Sequence, residues 1–474
     1  MPVQSTKTVH TREKLLALVD QYDSYSPPDP PSLHHSGDST RFSISDRAKD
    51  YNWPNHRFQW PARCTEERQD IERLQEALKD KNSNPQYLYD LYRSLPAPRV
   101  PYLTAATRHN LLYCLGVLER KDEAAMLRYM SVIDDMQATG IPLTVYEWNS
   151  ATSFAGRYVA KTTEVEVEAT LRLWKEMEYG SGIRANSATF NVLFDTATKA
   201  GKFELAEMIY REMESRGHAF NRFHHVSLIH YYGLKADGEG VRKAYKALVE
   251  AGEIVDTVVL NCTISSLIRA YEPQAAQQVF ERMKRLHAEE QSGLLPPRDF
   301  IKKKTVTKAL MKMATLAKGN PAKLRTFQKH ASIAPDIQTY RILIQYLSVR
   351  YGDLQRVAVL LDEMHWYKIP PHGSIFLALL KGFAIHGGIL YSYWTADRLE
   401  SVWKAYLEAV DQQVADIYIG KWIVCWALRA FSKCSGKTRT VEVWEEIKGK
   451  WTAEHDDLMV AMKVLRSVID NDAV

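Results

Sequence analysis

Cysteine is scarce in this chain of 474 residues, which holds five: Cys64, Cys114, Cys262, Cys425 and Cys434. An odd count without a framework reads as reduced thiols, mostly buried in helices. Neither Cys-x-x-Cys nor His-x3-His spacing occurs, so no zinc site is expected. Long apolar runs are also missing. None approaches the roughly 20 residues that span a bilayer, and no secretory h-region opens the chain. There is no P-loop, Gly-x-Ser-x-Gly or His-Glu-x-x-His. His287-Ala288-Glu289 supplies half of a zinc-deaminase signature, but no Pro-Cys-x-x-Cys follows it. Catalysis, cofactors, metals, membrane insertion and a small-molecule substrate are therefore not expected. Convincing strand alternation is lacking too, which makes the chain all-α.

Apolar residues form 45% of the chain and charged residues 25%, enough for a sizeable core. The net charge of +5 permits a polyanionic partner without demanding one. At the N-terminus, Lys7, Arg12 and Lys14 flank an apolar LLALV patch, as in an amphipathic presequence. Glu13 and Asp20 fit a short surface helix equally well. Residues 21–62 are rich in Pro, Ser, Asp and His, the composition of a linker.

From Glu66 onward, helical stretches alternate with Gly, Pro and Asn punctuation. Self-comparison exposes a fixed interval near 35 residues. Ala206, Tyr210, Met213 and Gly217 recur as Val241, Tyr245, Leu248 and Gly252, then as Ala276, Phe280, Met283 and His287. Phe190 and Phe194 recur as His225 and Ile229, then as Leu260 and Ile264. Each unit reads as two amphipathic helices around a turn such as Ala200-Gly201-Lys202, and neither face can be buried inside one hairpin. Stacked hairpins solve this. The expected fold is a right-handed α-solenoid of about eight helix-turn-helix repeats. Its divisions are 1–62 disordered or linker, 63–105 a capping hairpin, 106–291 regular repeats, 292–336 a basic degenerate hairpin, and 337–474 degenerate repeats with a terminal helix.

The string TFNVLFDTATKAGKFELAEMIYREMESRG (residues 189–217) resembles the pentatricopeptide repeat (PPR) family, through its N-x-L-F, KAGK and A-x-x-x-Y-x-x-M elements. The Trp-x2-Leu-Gly-x2-Tyr signature of the tetratricopeptide repeat is absent. The resemblance implies single-stranded RNA bound along a concave face lined by first helices, one base per repeat. In that family the fifth and last residues of a repeat read the base. Here they are Asn110 with Thr144, Asn149 with Asn186, Asn191 with Asn221, and Val226 with Asp256. Asn261 holds the fifth position of the next unit, whose last residue by interval is Gln291. Arg341 and His372 form a later pair. By the family code, adjacent Asn/Asn pairs favour pyrimidines, cytosine first. An amide both donates and accepts, which suits a base edge. It equally suits a helix cap near the hairpin start.

Arg157, Lys199 and Arg269 share the thirteenth position, where a cation can meet a phosphate or complement the helix dipole. Tyr146, Phe223 and Val258 share the second, where they can wedge between bases or pack between repeats. Residues 300–335 hold nine Lys or Arg, Lys302, Lys303 and Lys304 among them, and no acid. This is an RNA contact, a docking site on a ribonucleoprotein, or a solvated face.

The resemblance implies a non-catalytic protein of mitochondrial RNA metabolism, acting in transcript stability, processing, splicing or translation. Its partners would be single-stranded RNA and mitochondrial ribosomal or RNA-processing proteins. The alternative is a protein-interaction solenoid, with weight on C-terminal aromatics such as Trp394 and Trp403.

Overall fold

The computed structural model describes residues 60–470 except 81–82, 120, 160, 290–295 and 332. The stretch read as presequence and linker lies, up to residue 59, outside the described residues. Among the described residues all regular structure is helical. The described residues divide into two compact units, one up to Lys235 and one from Ala236 on, each a stack of helical hairpins.

In the first unit, α1 (Thr65–Ala77) pairs with α2 (Pro85–Ser94), and α3 (Ala105–Gly116) with α4 (Glu123–Ala138). Next come α5 (Val145–Ala155) with α6 (Glu164–Lys175), and α7 (Ser187–Lys199) with α8 (Phe203–Ser215). Helix α9 (Arg222–Leu234) closes the unit. Local chemistry sets the boundaries. Asn186 Oδ1 accepts from the N–H groups of Ala188 and Thr189 at 3.0 and 3.1 Å, and Thr189 Oγ1 accepts from Asn186 N–H at 3.1 Å. This reciprocal box satisfies donors that a helix start otherwise orphans. After α7 the chain turns through Gly201 at φ +73°, and Lys202 N–H donates to Ala197 O at 2.9 Å. Ala236 and Tyr271 make the equivalent corners at φ +57° and +61°. The turn thus persists without glycine, at about 1–2 kcal/mol for each side chain held left-handed.

Phe190, Leu193, Phe194 and Ala197 of α7 are buried against Leu205, Ala206, Ile209 and Met213 of α8. Each large side chain there contributes about 1.5–3 kcal/mol. First helices pack side by side in the order α5, α7, α9. On the other side of the stack, Arg216 ties neighbouring hairpins. Its Nε donates to Glu212 Oε1 at 2.7 Å and its Nη2 to Glu178 Oε2 at 3.1 Å, with Trp174 and Phe190 against the guanidinium. All three charged side chains are less than a tenth exposed.

The second unit opens with α10 (Gly238–Glu250). Then α11 (Thr257–Arg269) pairs with α12 (Pro273–Glu289), α13 (Phe300–Ala317) with α14 (Pro321–Lys329), α15 (Ile337–Gln345) with α16 (Leu354–Trp366), and α17 (Gly373–His386) with α18 (Ala396–Asp411). Gly436, at φ +83°, breaks α19 (Lys421–Lys448) into two arms, and α20 (His455–Asp470) packs on α19. His287 stands where Gly217 and Gly252 stop earlier helices, and α12 runs through it.

Here stacking order leaves chain order. Helix α11 packs on α15, while α13 and α14 pack chiefly on each other. Thr257 Oγ1 donates to Ala334 O at 2.9 Å, Lys284 Nζ to Glu363 Oε1 at 2.9 Å, and the Phe280 ring meets Tyr340 edge-on. The basic hairpin is therefore an insertion that the stack passes by. Beyond it the row of first helices continues as α15, α17, α19. Trp394 and Trp403 lie in the core with Phe383, Tyr406 and Phe431, so they form no docking surface. The exposed aromatics of this unit are others, notably Trp366, Tyr391 and Trp422. Among the five thiols only Cys425 is fully buried, and Cys64 is exposed.

Candidate nucleic-acid interface

The residues that end each repeat are helix caps. Thr144, Asn186, Asn221, Asp256, Asp336 and His372 each accept a backbone N–H at the start of α5, α7, α9, α11, α15 and α17. The fifth-position asparagines are not caps. They lie one turn into the first helices, and Asn149 and Asn261 reach across to the cap of a neighbouring hairpin. Asn149 Nδ2 donates to Asn186 Oδ1 at 3.1 Å, and Thr189 Oγ1 donates to Asn149 Oδ1 at 2.6 Å. The same seam recurs in the second unit. Asn261 Nδ2 donates to Asp336 Oδ1 at 2.9 Å, and Thr339 Oγ1 donates to Asn261 Oδ1 at 2.7 Å. Asn261 therefore pairs with Asp336; Gln291, its counterpart by interval, lies outside the described residues.

Asn191 finds a different neighbour. Its Oδ1 sits 3.3 Å from His224 Nδ1, and Asn221 caps the His224 N–H. His224 stacks on Phe220 at 4.1 Å between centroids. Burial, with the His225 ring beside it, pulls its pKa down to about 3. In its Nδ1–H tautomer the neutral imidazole donates to the Asn191 carbonyl and leaves the Asn191 amide N–H groups unused.

Access divides the candidates. Asn110 is exposed, and Asn149, Asn186, Asn191, Asn221 and Val226 are half-buried. Thr144, Asp256 and Asn261 are buried and present little to a ligand. Among the described residues the side-chain amide N–H groups of Asn186, Asn191 and Asn221 donate to no protein acceptor. The first unit thus carries amide donors at the start of α7, within α7 and at the start of α9. Tyr146 and Phe223, at the second positions of α5 and α9, are 51% and 52% exposed, and Val258 on α11 is 54% exposed.

The thirteenth-position cations are engaged. Arg157 Nη2 and Lys199 Nζ both reach Asp195 Oδ2 at 2.8 Å. Burial alone would raise the Asp195 carboxyl, but the two cations outweigh it and hold it below its usual range. The cluster keeps one net positive charge, half shared between hairpins. Arg269 is exposed in the second unit. Lys302 is exposed on the inserted hairpin, and Lys303 and Lys304 are half-buried there.

Sequence reasoning missed Asp195, His224 and the two threonines. Thr189 and Thr339 were findable, because a cap followed three residues later by threonine and then an aromatic occurs at 186–190 and 336–340. Nothing local marks Asp195 or His224. Among the described residues no group of three His, Cys, Asp or Glu could hold a metal, and no helix is long and apolar enough to cross a membrane.

The PPR repeat profile matches residues 188–218, which cover α7, its turn and α8. No curated protein sequence matches the chain. Among solved structures, PPR10 in complex with an 18-nt psaJ RNA element is similar at 14% identity, with a TM-score of 0.32 and coverage of 86% of this chain and 55% of that one. PPR10 from maize aligns at a TM-score of 0.28, 14% identity, and 85% and 62% coverage. Yeast Rmd9p in complex with 16nt target RNA aligns at a TM-score of 0.41, 12% identity, and 86% and 96% coverage. The chain spans about half the length of the RNA-bound PPR10. Likeness at this level is one of helical-hairpin architecture.

Proposed function

Taking the chain as a PPR-repeat protein, we propose that it binds single-stranded RNA without catalysis, along the first helices of its first unit, and serves mitochondrial RNA metabolism. The observation that carries this is the set of amide donors at Asn186, Asn191 and Asn221, flanked by exposed Tyr146 and Phe223. Amide donors suit the acceptors on a pyrimidine edge, and exposed rings stack on any base at about 1–3 kcal/mol each. By holding a short unpaired site, the protein would keep nucleases and competing RNA structure away from it. The compartment comes from the family's habit. Cross-linking the protein in cells and sequencing the attached RNA tests the proposal. Recovery of discrete organellar transcripts with a shared pyrimidine-rich site is expected; a diffuse, transcript-independent background would overturn it.

A second reading, a protein-binding scaffold, is favoured by one observation. Ile389, Leu390, Tyr391 and Tyr393 all stand exposed in the loop between α17 and α18. Such an apolar cluster is a common protein-interaction surface.

A further inference from the structure

The inserted hairpin does little for the fold. Helix α14 buries no residue, and α13 buries only Leu310 and Ala317. The hairpin is held at one end. Gln328 bonds both the N–H and the carbonyl of Val255, at 2.9 and 2.7 Å, and Leu310 and Ala331 meet Ile254. The lead-in residue Arg298 donates to the Lys368 carbonyl at 2.9 Å. Behind it the seam from Asn261 to Asp336 closes as though the hairpin were absent.

Its charge is as unusual as its position. The nine cations and no acid of 300–335 fall almost wholly on this hairpin. Among the described residues Lys302, Lys303, Lys308, Lys312 and Lys318 make no ion pair. Nearby α10 shows the ordinary solvated pattern, pairing Lys243 with Glu239 and Lys246 with Glu250 four residues apart. On α13, Lys304, Lys308 and Lys312 recur every fourth residue, a ridge stepping about 6 Å along the helix. Burial, and then the charge of Lys308, hold the Lys304 ammonium below its ordinary range. Gathered like charges oppose folding unless an anion balances them. Ile301, Val306 and Leu316 are exposed among the lysines, with no apolar face of their own. A helix lying in a lipid surface would segregate them.

We infer that the α13–α14 hairpin grips the sugar–phosphate backbone of RNA lying outside the base-reading row, without reading its sequence. This rests on the RNA binding proposed above. A backbone grip of this kind lengthens the footprint and adds affinity that is shared by all sequences.

The test uses the full chain with Lys308→Gln, Lys312→Gln, Lys318→Gln and Lys323→Gln combined, and a matching set of four Lys→Arg changes. The probes are long polycytidylate and an oligocytidylate short enough to fill the base-reading row alone. The Gln variant is expected to lose at least tenfold affinity for the long RNA. Its plot of log affinity against log salt should be shallower by about 0.7 for each lost phosphate contact. Binding of the short RNA stays unchanged, and the Arg variant behaves as wild type. Equal binding of both RNAs by the Gln variant and wild type overturns the inference. So does an equal loss on both RNAs, or a loss confined to vesicles of acidic phospholipid. If wild type binds neither RNA, the proposed function fails with it; if wild type binds both and the Gln variant is indifferent, this inference fails alone.

Discussion

The seam of α5 with α7 and the seam of α11 with α15 are built alike, yet the chain reaches them differently. In the first, Asn149 meets Asn186 after 37 residues; in the second, Asn261 meets Asp336 after 75. Both use a fifth-position asparagine, a cap oxygen and a threonine three residues past the cap. What defines a repeat here is the chemistry at its edges, and the length between edges is free. Loop-closure entropy grows only slowly with length, so an insertion of this size is tolerated at small cost.

Three substitutions would break or sharpen that comparison. The largest effect is expected at Arg216, which holds the outer side of the first seam between buried Glu178 and Glu212. Arg216→Ala leaves two buried carboxylates uncompensated and should cost about 3–5 kcal/mol, read from denaturant melts of the full chain. A loss under 1 kcal/mol would show that the guanidinium contributes little to the seam. A smaller and paired effect is expected from Thr189→Val and Thr339→Val. Each substitution keeps the shape and removes the hydroxyl that serves both the asparagine and the cap. Each should cost about 1–3 kcal/mol. Similar losses make the seams equivalent; a negligible loss at Thr339 alone would mean that α15 merely lies near α11.

Much of this was legible in the sequence. Helices α7, α9 and α11 begin at Ser187, Arg222 and Thr257, and their partners at Phe203, Gly238 and Pro273, in the steps of 35 that the recurring Ala206, Tyr210 and Met213 set announced. That interval also put Asn149, Asn191 and Asn261 at one register position. The detour around α13 and α14 was hidden, because an interval assumes that neighbours in the chain are neighbours in the stack. The burial of Asn261 was hidden for the same reason, since Asp336 and Thr339 cover it from far along the chain. Arg157 and Lys199 looked like free cations because Asp195, which holds them both, is itself buried on α7. The left-handed corners at Ala236 and Tyr271 carried no glycine to mark them. Trp394 and Trp403 looked like surface aromatics only because composition does not say which face a side chain takes.

Base reading by the first unit is tested most directly by selecting randomised RNA on wild type, on Asn149→Ala with Asn191→Ala, and on Thr189→Val. The threonine variant weakens the same seam while keeping both amides, so it separates stability from recognition. Wild type and Thr189→Val should select the same pyrimidines, and the double variant should lose preference at two adjacent positions, by about tenfold each. An unchanged base preference in the double variant would contradict base reading by these asparagines.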